Sequence, residues 1–74
     1  MFRKIYVVHF IQTKEWLVGT WTSVHKYADD VEFNEVVTED GKFYDFKVKF
    51  TNLLLMKDLA QYSNIEYLDF HRVK

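Results

Sequence analysis

The chain has no cysteine and no proline, and only two of its 74 residues, Gly19 and Gly41, are glycine. Without cysteine there is no disulfide framework and no thiolate nucleophile, and three histidines leave structural zinc few ligands. Two glycines cannot build the Walker phosphate loop or the dinucleotide fingerprint, so nucleotide chemistry by those routes is excluded. No apolar run exceeds four residues, as at Leu53–Met56, whereas a membrane-spanning helix needs roughly 20. The basic start Met1-Phe2-Arg3-Lys4 is followed by an apolar stretch broken at His9 and Gln12, with no small-residue cleavage site. The expectation is a cytoplasmic protein with no membrane partner, formed as one domain over residues 1–74.

What is abundant is aromatic. Two Trp, five Tyr and seven Phe make up 19% of the chain, enough large side chains for a core that no staple assists. Charge is nearly balanced at −1 but unevenly placed. Asp29, Asp30, Glu32, Glu35, Glu39, Asp40 and Asp45 fall within one segment whose only base is Lys42, giving that segment −6 and the rest +5. A near-neutral total therefore conceals strong local fields.

The clearest local signal is Asp40-Gly41 between two extended apolar runs, the preferred pair for a type I′ hairpin turn. A turn centred there sets Val37 opposite Tyr44, Glu35 opposite Phe46, Phe33 opposite Val48 and Val31 opposite Phe50, an apolar face. The reverse face carries Glu32 with Lys49, Asn34 with Lys47, Val36 with Asp45, and Thr38 with Phe43. Beyond it, Thr51-Asn52 offers cap side chains for a helix over 53–62 that leaves Leu54 among Lys57, Asp58 and Gln61. Residues 65–73 then read as a strand.

The first half reads as the same plan: a strand from Phe2 to Ile11, a turn over 12–14, and a second strand from Trp16 to Thr22. A short helix capped by Ser23 follows, with Val24, Tyr27, Ala28 and Val31 on one face. The expected fold is a small α+β domain in ββα-ββα-β order, a mostly antiparallel five-stranded sheet with both helices on one face.

Candidates for chemistry are few. Ser23 and Ser63 sit at helix boundaries, where capping accounts for them. His9 and His71 would approach one another if the first and last strands pair, with Asp69 or Asp58 nearby, but their spacing matches no metal motif. The carboxylates of the acidic segment divide between a helix and two hairpin faces. The sequence thus points to a protein that is not an enzyme and holds no cofactor or metal.

Recognition is the better use of these residues. Phe43 and Val36 fall on the hairpin face assigned to solvent, beside Asp40 and Asp45, and exposed apolar groups framed by charge are the form that interface anchors take. Asp29, Asp30 and Glu32 extend the acidic surface. This composition suits a small regulatory protein that docks on a partner protein's basic surface. A nucleic-acid groove, where carboxylates stand in for phosphates, would suit an inhibitor of phage or mobile-element type. Two alternatives follow from other residues. Strand aromatics flanked by Lys47, Lys49, Arg72 and Lys74 would suit single-stranded nucleic acid, and open sheet edges would suit a homodimer or a larger homo-oligomeric assembly.

Overall fold

A computed structural model describes residues 4–74. The chain runs β1 (Tyr6–Thr13), a single 3-10 turn (Lys14–Trp16), α1 (Leu17–Tyr27), β2 (Ala28–Thr38), β3 (Gly41–Phe50), α2 (Leu54–Leu59) and β4 (Glu66–Arg72). All neighbouring strands are antiparallel and the sheet order is β2-β3-β1-β4. The result is a small α+β domain in which two split β-α-β units interleave, the ferredoxin-like topology.

The expected five-stranded ββα-ββα-β order is therefore corrected to four strands in βαββαβ order among the described residues. The error lies in Trp16–Thr22, read as a strand by analogy with the plan of the second half. In the fold this stretch enters α1, because Leu17, Thr20, Val24 and Tyr27 recur at helical spacing and point at the sheet. Trp16 and Val18, which a strand would have committed to pairing, stand exposed. Tertiary burial outweighs local propensity here. Ser23 lies buried in mid-helix rather than at a cap, and Asp29 and Asp30 belong to β2. Of the strand expected over 2–11, Phe2 and Arg3 lie outside the described residues, and the rest is shifted to Tyr6–Thr13.

The helix-covered face of the sheet holds the core. Val8 and Phe10 of β1 and Phe46, Val48 and Phe50 of β3 are wholly buried beneath Val24 of α1 and Leu55 and Leu59 of α2. Phe10 stacks on Phe46 at 5.0 Å, and Phe33 of β2 meets the edge of Phe46 at the same distance. Each such side chain contributes about 1.5–3 kcal/mol on burial. Asn52 Oδ1 accepts the Leu54 N–H at 3.0 Å just ahead of α2, whose N-cap residue is Leu53, without a side-chain cap of its own. Leu54 is exposed, in a shallow hollow with Lys57, Asp58 and Gln61.

One polar cluster penetrates this core. The Gln12 side chain, fully buried, donates to Thr20 Oγ1 at 2.8 Å, and its carbonyl oxygen accepts from the Thr13 N–H at 2.7 Å and from Asn64 Nδ2. Asn64 Nδ2 also donates to Thr13 Oγ1 at 3.0 Å. Gln12 thus joins the end of β1 to α1 and to the loop before β4, and among the described residues no buried side-chain polar atom lacks a partner.

The hairpin keeps its expected faces but not its expected partners. Thr38 stands opposite Gly41, with Glu39 and Asp40 in the turn, so Val37 meets Lys42, Glu35 meets Tyr44 and Val31 meets Val48. A type I′ turn at Asp40-Gly41 requires positive φ at both residues, and among the described residues only Gly41 has it, at 133°. The displacement is two residues, so no side chain changes face. The molecule measures 47 × 19 × 17 Å, and the distal hairpin reaches past the helices. Val37, on the nominally inner face, is consequently 72% exposed, and Glu35 and Lys42 form an ion pair in solvent at 2.6 Å.

Candidate functional site: an acidic cleft on the open sheet face

Among the described residues no helix covers the second face of the sheet, and its side chains fall into cross-strand rows. Asp30, Lys49, Val7 and His71 form one row, and Glu32, Lys47, His9 and Asp69 the next. The third contains Asn34, Asp45, Ile11 and Glu66, and the last contains Val36, Phe43 and Thr13. The first two rows alternate in sign and largely compensate. The third has two carboxylates and no base.

At this acidic end the apolar side chains of Ile11, Val36 and Phe43, together with Thr13, Thr38 and Asn64, line a cleft of about 330 Å³. Asp40, Asp45 and Glu66 stand around it. Asp45 Oδ1 accepts a hydrogen bond from His9 Nε2 at 2.5 Å, reaching across from the neighbouring row. Asp40 and Glu66 have no cationic side chain within ion-pair distance among the described residues.

The residues singled out from sequence divide into two groups. Phe43, Val36, Asp40 and Asp45 come together in this cleft, with Val36 exposed and Phe43 half-buried. Asp30 and Glu32 do not join them. They lie at the far end of β2, opposite Lys49 and Lys47, around a separate hollow of about 150 Å³, and Asp29 is exposed at the irregular start of the strand. The acidic segment is therefore not one surface.

Ile11, Thr13, Thr38, Asn64 and Glu66 complete the cleft and were not among the sequence candidates. The alternation of β1 marks Ile11 and Thr13 as outward-facing once Val8 and Phe10 are assigned inward. Nothing local marks Asn64 or Glu66, which arrive through the pairing of β4 with β1.

The bases are also dispersed. Lys47 and Lys49 occupy the middle of the open face, whereas Arg72 stands opposite Tyr6 on the other side of the sheet. Most strand aromatics, including Phe10, Phe33, Phe46 and Phe50, turn toward the helices, which leaves Phe43 as the aromatic ring of the open-face rows. His9 and His71 do come onto adjacent strands, with His71 Nδ1 donating to Asp69 at 2.8 Å. Even so, no three His, Asp or Glu side chains among the described residues converge as metal ligands.

Among the described residues, Lys42 and Tyr67 are displaced from their ordinary behaviour. Lys42 is held above the usual lysine value by its hydrogen bond to the Glu35 carboxylate and by that group's charge, with a further contribution from Tyr44. Burial of the Tyr67 phenol raises its value by disfavouring the anion. Neither group lies in the cleft. Among the described residues no helix is long and apolar enough to cross a membrane. Comparison with known protein families, curated proteins and solved structures finds no match to this chain.

Proposed function

We propose that the protein is a non-catalytic binding module that acts in the cytoplasm by seating a basic segment of a partner protein in the open-face cleft. The observation that carries this reading is the convergence of Phe43, Val36, Asp40 and Asp45 on one depression whose row of the sheet has no compensating base. An arginine or lysine side chain presents an apolar stem and a cationic head. The apolar side chains of Ile11, Val36 and Phe43 match the stem, and the carboxylates of Asp40, Asp45 and Glu66 match the head.

Carboxylates on a projecting hairpin are also placed to imitate phosphates before a nucleic-acid-binding groove. The favoured partner is therefore a nucleic-acid-handling protein, with this chain as its inhibitor, of phage or mobile-element type. Direct binding of single-stranded nucleic acid has less support, because stacking needs rings on the open face and Lys47 and Lys49 stand opposite Glu32 and Asp30.

The test is partner capture by wild type and by the double variant Phe43→Ala with Asp45→Lys. The variant is expected to lose capture while its circular dichroism spectrum stays that of wild type. Capture at wild-type strength by the folded variant would remove the cleft from the function. Retention of labelled single-stranded DNA or RNA that weakens with salt would favour the nucleic-acid reading instead.

A further inference from the structure

The two edges of the sheet are unlike. β2 carries Asp29, Asp30, Glu32 and Glu35 along its length, so its approach to another copy of itself is repulsive, a common protection of edge strands. β4 is exposed at every position and carries both signs, Glu66 and Asp69 with His71 and Arg72. It also presents Tyr67, Leu68 and Phe70, each between 42% and 47% exposed. The inner flank of these rings is packed, Phe70 on Tyr6 at 5.9 Å and Tyr67 on Phe10 at 6.0 Å, while α2 is too short to cover the outer flank.

A bulge decides how this edge can be used. Tyr67 pairs with Phe10 and Asp69 with His9, so Leu68 is the extra residue, and Tyr67 and Phe70 both come to the helix-covered side. Without the bulge, residues three apart would face opposite sides.

We infer that β4 is a self-pairing edge, joining two copies of this chain antiparallel about a twofold axis between Leu68 and Asp69. In that register Tyr67 stands opposite the partner's Phe70 on the helix side, and Glu66 stands opposite the partner's His71 on the open side. By symmetry each contact is made twice. Aromatic thus meets aromatic and acid meets base on the two faces, the cross-strand matches that stabilise antiparallel pairs. The product is one continuous eight-stranded sheet, independent of what occupies the cleft.

Sedimentation equilibrium over a range from micromolar to near-millimolar chain reads the association directly. Wild type is expected to sediment as a dimer, and Leu68→Asp, which sets an acid opposite the partner's Asp69, as a folded monomer. Val18→Lys, on the exposed side of α1, is expected to stay dimeric. A monomeric wild type at the highest concentration overturns the inference, as does a dimer that survives Leu68→Asp. The register is read by mixing Glu66→Cys and His71→Cys chains, which have no other cysteine, under mild oxidation. Mixed disulfide dimers forming faster than either like pair support it, and equal rates of all three overturn it.

Discussion

Replacing Gln12 with leucine tests whether the polar cluster under the cleft holds the fold together. The substitution nearly conserves volume and is apolar at a fully buried site, so hydrophobic transfer alone would favour it. It removes the acceptor for the Thr13 N–H and Asn64 Nδ2 and the donor to Thr20 Oγ1, leaving the buried Thr20 hydroxyl and the half-buried Thr13 N–H without their partner, while the exposed Asn64 keeps its bond to Thr13 Oγ1. Each lost bond costs about 1 kcal/mol net, and a stranded buried N–H costs more, so the expected loss is about 3 kcal/mol. For a domain of this size that lowers the melting temperature by roughly 12–24 °C.

Gln12→Glu supplies a sharper signature. The neutral acid can donate to Thr20 and accept from Asn64 and Thr13, as the amide does, but the carboxylate loses the donor and carries a buried charge. Its folded-state pKa is therefore raised above the ordinary glutamate value of about 4.3. The variant keeps its stability below that value and loses it as pH rises through the folded-state value. Urea midpoints of wild type and both variants, compared at each pH, measure this. A Gln12→Leu midpoint equal to that of wild type, together with a Gln12→Glu difference that is flat with pH, would refute the reasoning.

Phe46→Ala, at the meeting of Phe10 and Phe33, is expected to cost about 3–5 kcal/mol in chemical denaturation, whereas Phe43→Ala in the cleft should cost far less. Gly41→Ala has open space around it but a φ of 133°, so calorimetry should show a loss of about 1–2 kcal/mol from backbone strain alone. The raised Tyr67 phenol means that wild type loses stability as pH climbs above the ordinary tyrosine value of 10.0, because the unfolded chain releases that proton first. Tyr67→Phe should shrink this alkaline loss, read as the change in urea midpoint between neutral and strongly alkaline solution.

Features governed by short-range periodicity are legible in the sequence itself. The alternation of Phe33, Phe46, Val48 and Phe50 against Glu32, Asp45, Lys47 and Lys49 assigns the hairpin faces correctly even though the partners are displaced by two, because a two-residue shift preserves side. Trp16–Thr22 misleads because the plan of the second half does not repeat there, while the spacing of Leu17, Thr20 and Val24 favours a helix only when there is a sheet to cover. The cleft is half legible. Phe43, Val36, Asp40 and Asp45 are local to one hairpin, but Asn64 and Glu66 depend on β4 pairing with β1, a choice among strand orders that no local pattern encodes. The scattering of Asp29, Asp30 and Glu32 away from the cleft has a simple geometric cause. Along an extended strand four residues span about 13 Å, so a run of acids in sequence is a line rather than a patch.

The central place of β1 has a kinetic consequence. Tyr6 waits for Phe50 on one side and Arg72 on the other, so the first strand of the domain has no local partner. The β2–β3 hairpin, closed by a two-residue turn, can form early at little entropic cost, whereas docking β1 requires closure of long loops. A chain stopped before Glu66 would leave one full row of β1 backbone donors and acceptors open, next to the buried Val8 and Phe10. Such a chain would be a template for strand exchange between molecules, which makes β4 the element that turns an aggregation-prone intermediate into a closed fold.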